Sequence, residues 1–138
     1  MSTAYDGRLA LDVDLGAPAT ARAELEEPLR RHGCGDVQIR DALMVVSELV
    51  MNALVHGEGD DRGQVHLAWQ VDPDCVVTVM VTDSGGSSVP HLEEPGAREG
   101  GGRGLRLVEA LSDSWAVDTD GGRTTVTAVI TPRDSQAG

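Results

Sequence analysis

Residues 37–56, VQIRDALMVVSELVMNALVH, constrain this chain more than any other stretch. They carry an uninterrupted helical pattern, and Val45, Val46, Leu49, Val50, Ala53, Leu54 and Val55 make it apolar almost all round. A helix of that kind is largely buried, so other elements must cover it. Asp36, after the break at Gly33 and Gly35, is a good N-cap, and Gly57 and Gly59 end the run.

The flanking segments supply the cover. In residues 8–15, Leu9, Leu11, Val13 and Leu15 alternate as in a half-buried strand. Pro18 and Thr20 open a second helix to about His32, with Ala21, Leu25 and Leu29 as its buried stripe. Residues 63–71 and 75–83 predict an antiparallel hairpin across Asp-Pro-Asp. Residues 105–115 predict a helix with Leu107, Val108 and Leu111 inward. The run to Val117 and residues 124–131 predict a last hairpin across Asp-Gly-Gly-Arg. Helices and antiparallel strands that each bury one face give a two-layer α/β sandwich. The expected organisation is a single domain over residues 1–132 with a disordered tail at 133–138.

Glu48, Asn52 and His56 interrupt the apolar surface of the long helix at spacing four. Each such step turns about 400°, so the three drift by only about 80° and share a face. A carboxylate, an amide and an imidazole in line suit a metal–phosphate site. The amide oxygen can ligate Mg²⁺ and the carboxylate can act as a general base. The same pattern is also what a solvated helix face would show, with Gln38 and Asp41 at its start. The stripe by itself leaves both open.

Two loops carry further polar signals. Asp83 ends an apolar strand and is followed by Gly85 and Gly86, which let a flat ring approach the backbone, although by itself the motif reads more simply as a plain turn after a strand. The cluster EGGGRGLRL runs glycines into a helix, where free N–H groups and the helix dipole attract anions; Arg103 and Arg106 add charge. Residues 84–104 are long for a loop in a compact domain, and such loops are usually functional or mobile.

Composition narrows the chemistry. The net charge of −12 repels nucleic acid and anionic membranes, so neither is an expected partner. The chain has no Lys; its 11 basic side chains are all Arg. A P-loop and a protein-kinase fold each need a Lys at the phosphates, and both are excluded in their usual form. With no Phe, the core must be aliphatic. Cys34 and Cys75 lie in no metal-type spacing, and a reduced, cytoplasmic chain is expected.

Taken in order, these segments resemble the GHKL ATPase superfamily of gyrase B, Hsp90, MutL and histidine-kinase catalytic domains. The segment from Glu48 through Asn52 to His56 is similar to the N box. Asp83-Ser84-Gly85-Gly86 resembles the first glycine box and Gly102-Arg103-Gly104-Leu105 the second. Arg123-Thr124-Thr125-Val126 resembles the closing Thr-containing strand. Ser87 and Arg123 depart from the usual pattern. Bacterial anti-sigma-factor serine/threonine kinases are the closest subgroup.

The resemblance implies a Bergerat-type α/β sandwich: a mixed, mostly antiparallel sheet, helices on one face and a Gly-rich ATP lid at about 84–103. It implies ATP and Mg²⁺ as cofactors. Glu48 would be catalytic, activating the attacking hydroxyl, and Asn52 would ligate the metal. Asp83 would bind the adenine amine, with Gly85 and Thr125 close by. Gly101, Gly102, Arg103, Gly104 and Leu105 would contact phosphates, and His56 would position the site. The implied function is phosphorylation of an anti-anti-sigma (STAS) protein, regulating a sigma factor by partner switching, with homodimerisation common in the subgroup. The alternative is a non-catalytic, ATP-dependent module that sequesters a regulatory partner.

Overall fold

The computed structural model describes residues 5–56, 59, 62–84 and 101–133. In chain order they form β1 (Tyr5–Asp12), α1 (Ala17–His32), α2 (Asp36–His56), β2 (Gln64–Val71), β3 (Val77–Asp83), α3 (Gly101–Leu111), β4 (Ser114–Asp120) and β5 (Arg123–Ile130). The five strands make one sheet in the order β1-β2-β3-β5-β4. Every neighbouring pair is antiparallel, which is the mostly antiparallel sheet expected, without a parallel member among the described strands.

Period-two burial decides which face of the sheet meets the helices. Val65, Leu67, Trp69 and Val71 of β2, Val77, Val79 and Val81 of β3, and Val126, Ala128 and Ile130 of β5 are all buried. They join Leu25 and Leu29 of α1 and Val45, Val46, Leu49 and Val50 of α2 in one cluster. The core is aliphatic as its composition requires, with Trp69 its one large aromatic. That indole lies over Gly7, its register partner on β1, where a Cβ would collide with the ring. Truncating a core leucine such as Leu49 to Ala costs about 2–5 kcal/mol in sites of this kind.

Several boundaries differ from expectation, each for a local reason. β1 stops at Asp12, paired with Gln64, so Val13 and Leu15 continue the alternation past the sheet and stand exposed. Asp36 is the first residue of α2, and its carboxylate takes Arg30. α3 ends at Leu111 and does not reach Trp115. The Asp113 N–H donates to the Val129 carbonyl at 2.7 Å, so sheet pairing draws Trp115 into β4. The last hairpin turns on Gly121 and Gly122, both at positive φ (60° and 84°), the geometry that tight β-hairpins demand.

Two contacts tie distant segments together. The structure joins Cys34 and Cys75 in a disulfide, with a Cα–Cα distance of 5.7 Å; this overturns the expectation of a reduced pair. Spacing could not reveal it, since the cysteines are 41 residues apart and only the fold brings their turns together. A loop of that length corresponds to about 4 kcal/mol of chain-entropy stabilisation. Arg133, expected in the tail, instead grips buried Asp41 through two hydrogen bonds, Nε to Oδ2 at 2.8 Å and a terminal nitrogen to Oδ1 at 3.1 Å. The remaining tail residues lie outside those described. No described helix is long and apolar enough to cross a membrane.

Removing the guanidinium leaves the buried Asp41 carboxylate with only the more distant Arg40, whose Nε lies 3.9 Å from Oδ1. Arg133→Ala is therefore expected to lower unfolding free energy by about 2 kcal/mol in urea titrations, less than a fully buried pair because Arg133 is half-exposed. Asp41→Asn in the same background is expected to recover part of the loss.

Candidate functional site

The polar stripe of α2 divides into two halves. At its start, Gln38 is buried and its Nε2 donates to the carbonyls of Cys75 (2.7 Å) and Ile130 (2.8 Å). Asp41 is buried and held by Arg133. These residues are structural ties between α2 and the sheet, so a simple solvated face does not describe them. Further along, Glu48 is half-buried. Asn52 is only 7% exposed, and its Nδ2 has no hydrogen-bond partner. His56 closes the helix.

Buried polar groups are almost always paired, so the Asn52 amide requires an explanation. Gln38 Oε1, Trp69 Nε1 and Ser112 Oγ are likewise unpartnered. Of the four, only Asn52 lies one helical turn from Glu48. An amide can offer its oxygen to a cation or its nitrogen to an oxyanion after a half-turn about its last bond. That donor set fits a metal-bound polyphosphate.

The direction of α2 determines what else stands at that end. Its first turn is pinned beside Cys75, just before β3, and beside Ile130, the last residue of β5. From there α2 packs along β3 and β5. Gln38 to Asn52 spans about 21 Å of helix, and Cys75 to Asp83 about 26 Å of extended chain. The Asn52 end of the helix therefore lies toward the Asp83 end of the sheet.

Asp83 is the last residue of β3 and is 5% exposed. Opposite it in register is Thr124, which is 2% exposed. Both follow the inward series of their strands, Val77, Val79 and Val81 for one and Val126, Ala128 and Ile130 for the other. Thr125, the expected neighbour of Asp83, points to the other face of the sheet. Its Oγ1 lies 2.9 Å from Thr82 Oγ1 there. Thr124, not Thr125, therefore shares the face of Asp83, because a one-residue step along a strand changes face. The signal was present in the sequence: counting back by twos from Ile130 lands on Thr124.

The second glycine box is also placed differently. Gly101, Gly102, Arg103 and Gly104 form the first turn of α3 itself, where a loop before residue 105 was expected. The unpaired N–H groups that begin any helix are then those of the glycines themselves. Leu105 is 2% exposed, so its side chain packs into the protein. α3 lies against α2. Gly85 and residues 86–100, most of the expected lid, lie outside the described residues.

Among the described residues no cluster of three or more His, Cys, Asp or Glu is arranged to hold a metal. A cation here would take one protein oxygen, from Asn52, and further oxygens from phosphates, as Mg²⁺ commonly does. An open groove of about 410 Å³ lies on the outer face of the sheet, between Arg8, His66, Met80, Thr82 and Arg123. None of Glu48, Asn52, Asp83 or Thr124 lines it, so it is separate from the candidate site.

A solved structure of the RsbU and RsbW domains of Rv1364c from Mycobacterium tuberculosis matches with a TM-score of 0.71 at 27% identity, over 92% of this chain and 32% of that one. The chain thus spans about a third of that relative's length. The match to the histidine kinase-like ATPase domain family runs over residues 11–130, from the end of β1 to the last residue of β5. Sheet, helices and polar end fall within that span, and the chain belongs to the histidine kinase-like ATPase domain family, an ATP-binding fold.

Proposed function

We propose that this domain is an ATP-dependent serine/threonine protein kinase of the anti-sigma-factor type. It would phosphorylate an anti-anti-sigma (STAS) protein and control a sigma factor by partner switching in the cytoplasm. The observation that carries the reading is the placement, one turn apart on α2, of a half-buried Glu48 and a buried Asn52 whose Nδ2 has no hydrogen-bond partner. Likeness to a protein with an RsbW domain supports the partner class.

Each side chain has a distinct task in this reading. Bound ATP with Mg²⁺ supplies the γ-phosphoryl group and neutralises developing charge. The Asn52 amide oxygen holds the metal. Asp83 accepts a hydrogen bond from the adenine amine, and Thr124, beside it, orders that end of the site. The Gly101 to Gly104 turn offers backbone N–H groups to phosphate oxygens. Glu48 lies one turn from Asn52, where its carboxylate takes the proton of the substrate hydroxyl.

The two threonines test the geometry. Thr124→Val is expected to weaken ATP binding about tenfold, the effect of losing roughly one buried hydrogen bond. Thr125→Val is expected to leave affinity within about twofold. Calorimetric titration of both variants checks this, and the reverse ranking would contradict it.

Phosphoryl transfer is tested with labelled ATP and candidate STAS proteins. Glu48→Gln is expected to retain ATP affinity and lose about 10²-fold or more in transfer rate, as for loss of a general base. ATP binding with no transfer to any partner would replace the kinase with an ATP-dependent sequestering module. Unchanged transfer in Glu48→Gln would remove Glu48 from the chemistry.

A further inference from the structure

We infer that the Cys34–Cys75 disulfide is a redox-controlled clamp that sets the alignment of α2 against β3, and through it nucleotide affinity. The inference rests on the ATP site proposed above, with Asn52 on one of these elements and Asp83 on the other.

The two cysteines sit where both elements begin. Cys34 follows the left-handed Gly33 cap of α1, and its N–H is bound to the Leu29 carbonyl at 3.0 Å. It is two residues before α2. Cys75 is two residues before β3, in a turn organised by Asp72, whose Oδ1 accepts the N–H groups of Asp74 (2.8 Å) and Val76 (3.0 Å). The same turn receives His32 at the Asp72 carbonyl (2.9 Å) and Gln38 at the Cys75 carbonyl (2.7 Å). The disulfide is thus the covalent member of a cluster of ties fixing the α1–α2 connection to the β2–β3 turn.

Cys75 also has a φ of +62°, the only positive value among described non-glycine residues. Glycine or asparagine fills such a position at less cost. A cysteine there fits a position selected for its sulfur.

From this common point α2 and β3 run side by side, with the nucleotide residues at their far ends. A rotation of about 5° at the clamp would move Asn52 by about 2 Å relative to Asp83 over the 1.5 Å-per-residue length of the helix. Misplacements of that size strongly reduce the productivity of a positioned site.

The chemistry needs a dithiol as reductant. Its thiolate attacks Cys75 Sγ, since Cys75 is half-exposed and Cys34 is buried. The S–S bond breaks, a mixed disulfide forms at Cys75, and Cys34 leaves as a thiolate that takes up a proton. The second dithiol sulfur then displaces Cys75, giving two protein thiols and one oxidised dithiol, a two-electron exchange. In a reducing compartment, disulfides that form are characteristically transient and regulatory.

The test uses the full chain, oxidised with the crosslink verified by mass and thiol titration, and the same protein reduced with dithiothreitol. ATP–Mg²⁺ affinity is measured by calorimetry, and backbone hydrogen exchange is followed over residues 36–42. Reduction is expected to weaken ATP about tenfold and to raise exchange in that first stretch of α2. Cys34→Ser, and Cys75→Gly, which suits the left-handed backbone, are expected to match the reduced protein and to ignore dithiothreitol. ATP binding of equal strength in both redox states would overturn the clamp alone. Failure of the oxidised protein to bind ATP would overturn the clamp together with the site on which it rests.

Discussion

Burial of α2 against an antiparallel sheet is the contact on which the rest of this structure depends. The helix is too apolar to stand in water, and β3 and β5 present valine, alanine and isoleucine in the period-two series that covers it. The hydrophobic effect drives that contact but has no direction. Its register comes from polar ties: Gln38 to two carbonyls, Asp41 to Arg133, and the Cys34–Cys75 bridge. All three lie at or near the beginning of the helix, or within two turns of it. In the far half, the buried Asn52 Nδ2 has no hydrogen-bond partner.

That division of labour explains how a chain with a net charge of −12 and no Lys can belong to an ATP-binding family. Attraction for a polyphosphate here does not come from a basic surface. In the proposed site it would come from the backbone N–H groups that begin α3 and from a metal ion held by the Asn52 amide. Each contributes over short range, where the overall negative field matters less than geometry.

Much of this was legible in the sequence, because the strongest signals are periodic. The helical run at 37–56, the strand-like runs of β2 and β3 and the final hairpin all follow from local pattern. What was missed has physical reasons. Motif position points to Thr125, whereas strand alternation from Ile130 puts Thr124 on the face of Asp83. The end of α3 was set by pairing of Asp113 with Val129, a contact made across the sheet. The disulfide depends on two turns meeting in space, and no local pattern encodes that meeting. Arg133 looked like tail because its partner, Asp41, lies 92 residues away.

In the proposed function the Asn52 end of α2 and the buried end of β3 are two halves of one ATP site. Calorimetric titration of ATP–Mg²⁺ into wild type, Asn52→Ala and Asp83→Asn tests it most directly, with thermal unfolding of each as the control for folding. Both variants are expected to bind at least about tenfold more weakly, corresponding to about 1.4 kcal/mol or more. Asn52→Ala is expected to unfold no earlier than wild type, since it removes a buried donor that the protein itself leaves unsatisfied. Equal ATP affinity in all three proteins would contradict the account.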